Sequence, residues 1–303
     1  MTAPETPARF PAAPARPPLI PEIPPRSRPV RLLLEHPTLV IGGVLLGLMV
    51  LMAIFAPWIA THDPAALNPA MRVKDPSAAA FFGTDMMGRD IYSRVIYGAR
   101  VSLVVGLAVA VLSSVIGLAI GLFAGFVRVA DSIVMRIMDG LMSIPAILLA
   151  IALMTVMRGG SVTNVVIAIV IAEIPRVARL TRSVVLSVRE KPYVEAAVVS
   201  GTSWLGIVVK HVMPNTFAPL TVQATYICAS AMITEAILSF IGAGTPTSIP
   251  SWGNIMAEGR ALWQVKPYVV FFPALFLSVT VLAVNLLGDG LRDAVDPRLA
   301  KEV

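Results

Sequence analysis

The chain has 303 residues, 56% of them hydrophobic and only 14% charged, with a mean hydropathy of +0.80. A soluble domain carries about 25% charged residues, so this deficit argues against an ordinary soluble enzyme and for a chain solvated by a bilayer. The formal charge of +6 comes from 24 Lys and Arg against 18 Asp and Glu, but the cations sit between apolar runs and form no basic stripe with interleaved aromatics, so no nucleic-acid partner is implied.

Metal and redox chemistry find little support. A single cysteine, Cys228, excludes an intramolecular disulfide and any multi-cysteine metal site. The three histidines, His36, His62 and His211, are far apart and have no metal-ligand spacing.

In chain order, residues 1–29 are rich in Pro, Ala and Arg, and pairs such as Pro17-Pro18 and Pro24-Pro25 resist helix formation. They read as a disordered cytoplasmic tail, and the first apolar run starts too late to be a secretory signal. Uncharged runs follow at 37–61, 101–127, 140–157, 212–234 and 267–288, with a shorter one at 159–172. A membrane helix needs about 20 apolar residues, and four of the runs are long enough. The 140–157 run extends to Ile137 if Asp139 lies at the interface, and the 159–172 run extends through Glu173 to Val177. The expectation is an all-α integral membrane protein of about six spans. The units are a first span with an extracytoplasmic segment (30–99), a five-helix core (100–293) and a cytoplasmic tail (294–303). With a cytoplasmic N-terminus, the inside segments 1–36, 128–136, 176–211 and 291–303 hold 16 of the 24 Lys and Arg, and the positive-inside rule favours that orientation. Both termini are then inside.

Two loops are large, an outer one at 62–100 and an inner one at about 178–211. In the inner loop, Pro192 suits the first turn of a helix and Gly201 suits its stop. Tyr193, Ala196, Ala197 and Ser200 share one face, three of them small, so another surface can come close. Ser203 is a candidate N-cap, and Leu205, Val208, Val209 and Val212 repeat at helical spacing. Pro214 is expected to break the chain there and open the next membrane helix. A short helix, a turn and a second short helix outside the bilayer need a partner.

Other polar residues have plainer readings. Glu173 and Arg176 can pair at i and i+3. Asp289 and Asp293 mark the cytoplasmic end of the last span, with Asp296-Pro297 stopping it. Gly117, Gly121 and Gly125 make a packing face in span two. Glu235 sits in an apolar stretch, where an ionised carboxylate costs several kcal/mol and faces protein or water. Counting from Pro214 puts it near the outer interface, which favours a structural pair over a place on the substrate path.

The segment from Glu195, Ala196 and Ala197 through Gly201 to Pro214 resembles the EAA loop of ABC importer permeases. His211-Val212-Met213-Pro214-Asn215 departs from the general pattern and is similar to its peptide subgroup. Three further segments resemble the C-type subunit of the dipeptide, oligopeptide and nickel permease family. They are Phe82-Gly83-Thr84-Asp85-Met86-Met87-Gly88-Arg89-Asp90 with Arg94, then Ser239 to Arg260, then Asn285 to Arg298. Four motifs in order make chance resemblance very small. The resemblance implies that Glu195, Ala196, Ala197, Gly201, His211 and Pro214 belong to a coupling helix that docks on a separate ATPase. It makes Gly83, Asp85, Gly88, Arg89, Asp90 and Arg94 an extracytoplasmic motif, read either as charges facing water or as a docking surface. Glu235 and Asn285 are candidates for a substrate-path or structural role.

The implied partners are a second homologous permease, two ATP-binding subunits or domains and an extracytoplasmic substrate-binding protein, in a bacterial cytoplasmic membrane. ATP and Mg belong to the ATPases. This chain has no Gly-x4-Gly-Lys-Ser/Thr loop and is expected to bind no cofactor. The function implied is a permease moving peptides or related small solutes. A stand-alone secondary transporter or channel is the alternative, but the sequence has neither a line of intramembrane ionisable groups nor a clear inverted repeat. A scaffold fits only generically, and no nucleophile–base pair points to an enzyme.

Overall fold

In a computed structural model of the protein, residues 37–157 and 160–295 are described. The Pro-rich segment 1–29, Asp296-Pro297 and the tail to 303 lie outside the described residues. The helices are α1 (Pro37–Ile54), α2 (Ala56–Ile59), α3 (Ile91–Phe126), α4 (Arg128–Met142), α5 (Ala146–Val156), α6 (Val162–Arg189), α7 (Pro192–Val199), α8 (Trp204–Ile207), α9 (Met213–Ile241), α10 (Trp252–Gly259) and α11 (Tyr268–Val295). Among the described residues there is no strand, only isolated bridges at Ser77 with Ala80 and Thr84 with Asp90.

Four helical stretches are long and apolar enough to cross a membrane: α1, α3, the continuous Trp204–Ile241 and α11. A fifth arises if the bent pair α4 and α5 is one span. The helix in the place of the fourth expected span, α6, carries Glu173, Arg176, Arg179 and Arg182. The six spans read from sequence are reached only if the bent pair and α6 both cross.

Charges misplace several boundaries in the sequence reading. Helix α3 starts ten residues before the uncharged run because its arginines are neutralised inside the protein. Arg94 is buried among carboxylates, and Arg100 donates to the carbonyls of Ala53 at 2.6 Å and Ile54 at 2.9 Å, closing the end of α1. The 36 residues of α3 rise about 54 Å, well beyond a hydrocarbon core of about 30 Å. The expected inner loop loses 178–189 to α6. The expected third span is split. Pro145 lacks an N–H and holds the chain extended, so α4 and α5 meet at 92°. Pro214 breaks nothing: a π-helical turn over Val208–Val212 leads into α9, and Pro214 falls in that helix's first turn, where its missing donor costs little.

The principal seam joins α3 to α6. A Cβ on Gly117 would come within 2.5 Å of Val177, one on Gly121 within 2.5 Å of Thr181, and one on Gly125 within 2.6 Å of Val185. The glycine stripe therefore brings two backbones together as its spacing predicts. Around the seam lie Val105, Val109, Val165, Ile169, Val177 and Ile227. Helix α1 packs along α11, with Gly42 against the backbone of Ala283 and Leu287.

Candidate functional site

The inner loop is built on the end of α6. Val185 and Val188 of α6 share a small core with Val194 of α7, Ile207 of α8 and Val212. Helix α7 starts at Pro192 and ends in a Schellman motif: Gly201 N donates to Val198 O and Thr202 N to Ala197 O, both at 3.0 Å, with Gly201 at φ +77°. A side chain at position 201 would meet nothing within 4 Å, so backbone conformation alone selects glycine there. Ser203 caps α8 by accepting from Gly206 N at 3.3 Å. The two arms are tied by Asn215, whose Nδ2 donates to His211 O at 2.5 Å and to Tyr193 Oη at 3.3 Å.

The packing of Val194 turns the rest of α7 outward. Glu195, Ala196 and Ser200 are exposed, and Ala197 is half-buried. Pro214 is exposed and His211 half-buried beside the Tyr193 ring. The sequence pattern points to the small residues of this face but not to the large ones. Val199 is 88% exposed, and Val198, Trp204, Leu205 and Val209 are exposed too. The expected apolar repeat on the second arm is divided, with Val208 and Val212 inward and Leu205 and Val209 outward.

The outer motif does the opposite of presenting charge to water. Asp85, Arg89, Asp90 and Arg94 are all buried. Asp85 Oδ2 accepts from Arg89 Nε at 2.7 Å and Arg94 Nη1 at 2.6 Å, and Glu258 Oε2 accepts from Arg89 Nη2 at 2.5 Å and Arg94 Nη1 at 2.7 Å. Two cations meet two carboxylates, so the charge within this four-residue network is balanced, although Arg94 Nε and Oδ1 of the neighbouring Asp90 are buried without a hydrogen-bond partner. Asp85 Oδ1 also accepts from the backbone N–H of Met87 and of Arg89. Asp90 caps α3, accepting from Ser93 N at 2.9 Å. Gly83 and Gly88 both have positive φ, and a Cβ on Gly88 would lie 1.8 Å from Asn68 O. The expectation of water-facing charges is therefore corrected: the motif folds the outer segment onto α10. Glu258 was missed as a member. It stands in the second family-like segment, but nothing local links it to Arg89 or Arg94.

Glu235 is fully buried and has no cationic partner among the described residues, which corrects its reading as a structural pair. Its carboxyl sits among hydroxyls instead: Ser239 Oγ donates to Oε1 at 2.8 Å, Ser102 Oγ to Oε2 at 3.3 Å and Thr245 Oγ1 to Oε1 at 3.5 Å. Asn254 extends the network, donating to Thr245 Oγ1 at 2.8 Å and to the carbonyls of Thr245, Pro246 and Ile249. Asn285 is half-buried on α11, and its neighbours Val284 and Leu287 line an apolar cavity of about 460 Å³ with Leu107 and Cys228. The Glu173–Arg176 pair forms as expected, at 2.8 Å.

The described residues thus combine apolar helices, an inner loop with exposed apolar side chains and an outer segment held by buried charges. No group of three or more potential metal ligands occurs among the described residues. Residues 117–301 match the family described as the binding-protein-dependent transport system inner membrane component. Residues 28–77 match the N-terminal transmembrane domain of oligopeptide transport permease C. A probable peptide ABC transporter permease of Sinorhizobium fredii is 52% identical over 89% of this chain and 92% of its own length. A putative peptide transport system permease of Brucella abortus is 46% identical, over 90% and 92%. A dipeptide transport system permease of Alkalihalophilus pseudofirmus is 40% identical, over 86% of each chain. With matched residues covering more than half of its length, the chain is a multi-pass membrane permease and belongs to the binding-protein-dependent transport system inner membrane component family.

Proposed function

We propose that this chain is the permease subunit of an ATP-driven importer of peptides or related small solutes, coupled through the 191–214 loop to separate ATPases. The observation that carries the coupling is the geometry of that loop. A two-armed unit is welded to α6 by Val194, Ile207 and Val212, yet holds Val199, Leu205 and Val209 in the open. Surface apolar groups so grouped mark a binding site. Peptide as the cargo is supported by the names of the relatives, each called a peptide or dipeptide permease.

In this reading the chain performs no bond chemistry. ATP closes the ATPase pair, the docked loops move, and the spans pass between inward-open and outward-open arrangements, a bistable rearrangement of the permease pair. The partner set comprises a second permease, two ATP-binding subunits and an extracytoplasmic binding protein, in the cytoplasmic membrane with both termini inside.

The test is purification of the tagged chain from its native membrane in mild detergent, with mass spectrometry of what accompanies it. A second permease and Walker-motif ATPases are the expected companions. A chain stable alone at every detergent strength overturns the reading. Gly201→Asp, which forces a β-carbon onto φ +77°, is expected to abolish ATPase co-purification and leave membrane insertion intact.

A further inference from the structure

Helix α4 is held in an unusual way. Of its 15 residues only Met138 is buried. Val129, Ile133 and Ile137, each four apart, are exposed along one side. What fixes the other side is charge. Arg182 of α6 grips Asp131 with two hydrogen bonds, Nη2 to Oδ2 at 2.7 Å and Nε to Oδ1. Arg179 Nη2 reaches Asp139 Oδ1 at 2.5 Å. The two arginines are three residues apart, about 4.5 Å along α6, while the two aspartates are eight apart, about 12 Å along α4.

Two further features make α4 a candidate moving part. It ends in the 92° bend at Ser143 to Pro145, beyond which α5 packs on α6. Beside Asp131 lies a polar cavity of about 390 Å³ lined by Gly125, Arg128, Arg189 and Glu190 among others, so the helix has room to shift. Meanwhile α6 runs without interruption to Arg189, two residues from the start of the α7 loop, and shares that loop's core. A displacement of the loop therefore displaces α6 and its two arginines. Of the two links between α4 and α6, the Arg182–Asp131 pair is the better shielded, at 32% and 24% exposed.

Resting on the coupling role of the 191–214 loop, we propose that the Arg182–Asp131 and Arg179–Asp139 pairs carry motion of the docking loop to the α4–α5 bend, making these four side chains positioning residues for transport. The bidentate Arg182–Asp131 pair is the principal link, since a fork on a carboxylate fixes angle as well as distance.

The test uses the whole complex, with ATPases and binding protein, reconstituted in vesicles and supplied with an isotopically labelled pool of short peptides. The readout is peptide taken up per ATP hydrolysed, which a merely structural role would not move. Asp131→Arg and Arg182→Asp are each expected to lower that ratio about tenfold while the ATPases still co-purify. The double exchange is expected to restore it to within about threefold of the parent. Arg182→Lys, which keeps the charge but loses the fork, is expected to assemble and lower the ratio about threefold. It decides the matter if the reversals fail to assemble. A parental ratio in Arg182→Lys, or in either assembled single reversal, overturns the proposal, as does a properly assembled double exchange without recovery. Gly201→Asp separates the two ideas. If it keeps its ATPases and transports normally, the docking reading falls. If it loses them while Asp131→Arg transports normally, only the ion-pair link falls.

Discussion

The two ends of α3 hold the same chemistry, arginine on carboxylate, in opposite settings. At its start, Arg94 is 1% exposed and shares Asp85 and Glu258 with Arg89. Beyond its far end, the pair between Arg179 of α6 and Asp139 of α4 has side chains 49% and 57% exposed. Burial decides what each can be used for. Breaking a buried pair strands a charge and costs about 3–5 kcal/mol. Breaking an exposed pair costs about 0–1 kcal/mol, since water takes over. The outer network therefore suits a segment kept in one place, and the exposed Arg179–Asp139 pair suits one that changes place.

The sharpest way to break that contrast is Asp85→Ala. It removes the acceptor shared by Arg89 and Arg94 and the partner of two backbone N–H groups at once. The expected loss is about 4 kcal/mol, read as a lower thermal midpoint of the purified complex and new protease cleavage within 62–90. An unchanged midpoint would mean that the network is wet and the contrast false.

Next in size is Gly121→Val, in the seam that joins the two ends. Its Cβ would lie 2.5 Å from Thr181 Cβ and 2.6 Å from Ala178 O. Backbone cannot yield as a side-chain tip can, so the cost is put at about 3 kcal/mol, the upper end for overpacking. A Cβ on Gly140 of α4 would meet nothing within 4 Å, so Gly140→Ala is expected to be neutral or to gain a few tenths of a kcal/mol, roughly, from helix propensity. Thermal midpoints of the two variants, measured side by side, check both.

How far these features were legible in the sequence follows from how local their causes are. Pro192, Gly201 and Ser203 set the 191–214 loop through contacts within a few residues, so its helix, turn and cap were readable in order. The glycine stripe was readable because its period is a helix period. The bend at Pro145 was missed because an apolar run on each side of a proline looks like one span. The boundaries of α3 and α6 were misread for a different reason: a charge ends a span only if lipid would see it, and Arg94, Arg100 and Arg182 have protein partners. Those partners are distant in the chain. Glu258 lies 164 residues from Arg94 and Asp131 lies 51 from Arg182, and no turn chemistry reports such a pairing. Glu235 failed similarly: its hydroxyl partners at Ser102 and Thr245 come from another helix and a loop.

That hydroxyl pocket lies between the two extremes, buried like the outer network but without an ion pair. Glu235→Ala leaves the Ser239, Ser102 and Thr245 hydroxyls without their acceptor, at a cost of about 2 kcal/mol. Glu235→Gln keeps an acceptor oxygen and is expected to hold stability within about 1 kcal/mol. If Gln is stable yet abolishes uptake, the carboxylate serves transport itself. If Gln is stable and transports, the pocket serves packing.

A small expected effect on a charged pair is the most exacting for the comparison. Asp139→Asn removes a charge from an exposed pair and should change stability by less than about 1 kcal/mol. Combined with Asp85→Ala, it should add to that variant's loss within about 0.5 kcal/mol, because the two sites share no partner and flank a helix rising about 54 Å. A larger interaction would mean that strain passes along the glycine seam from one end of α3 to the other, and the outer network would then belong to the moving parts. Additivity would keep it as the fixed frame against which α4 moves.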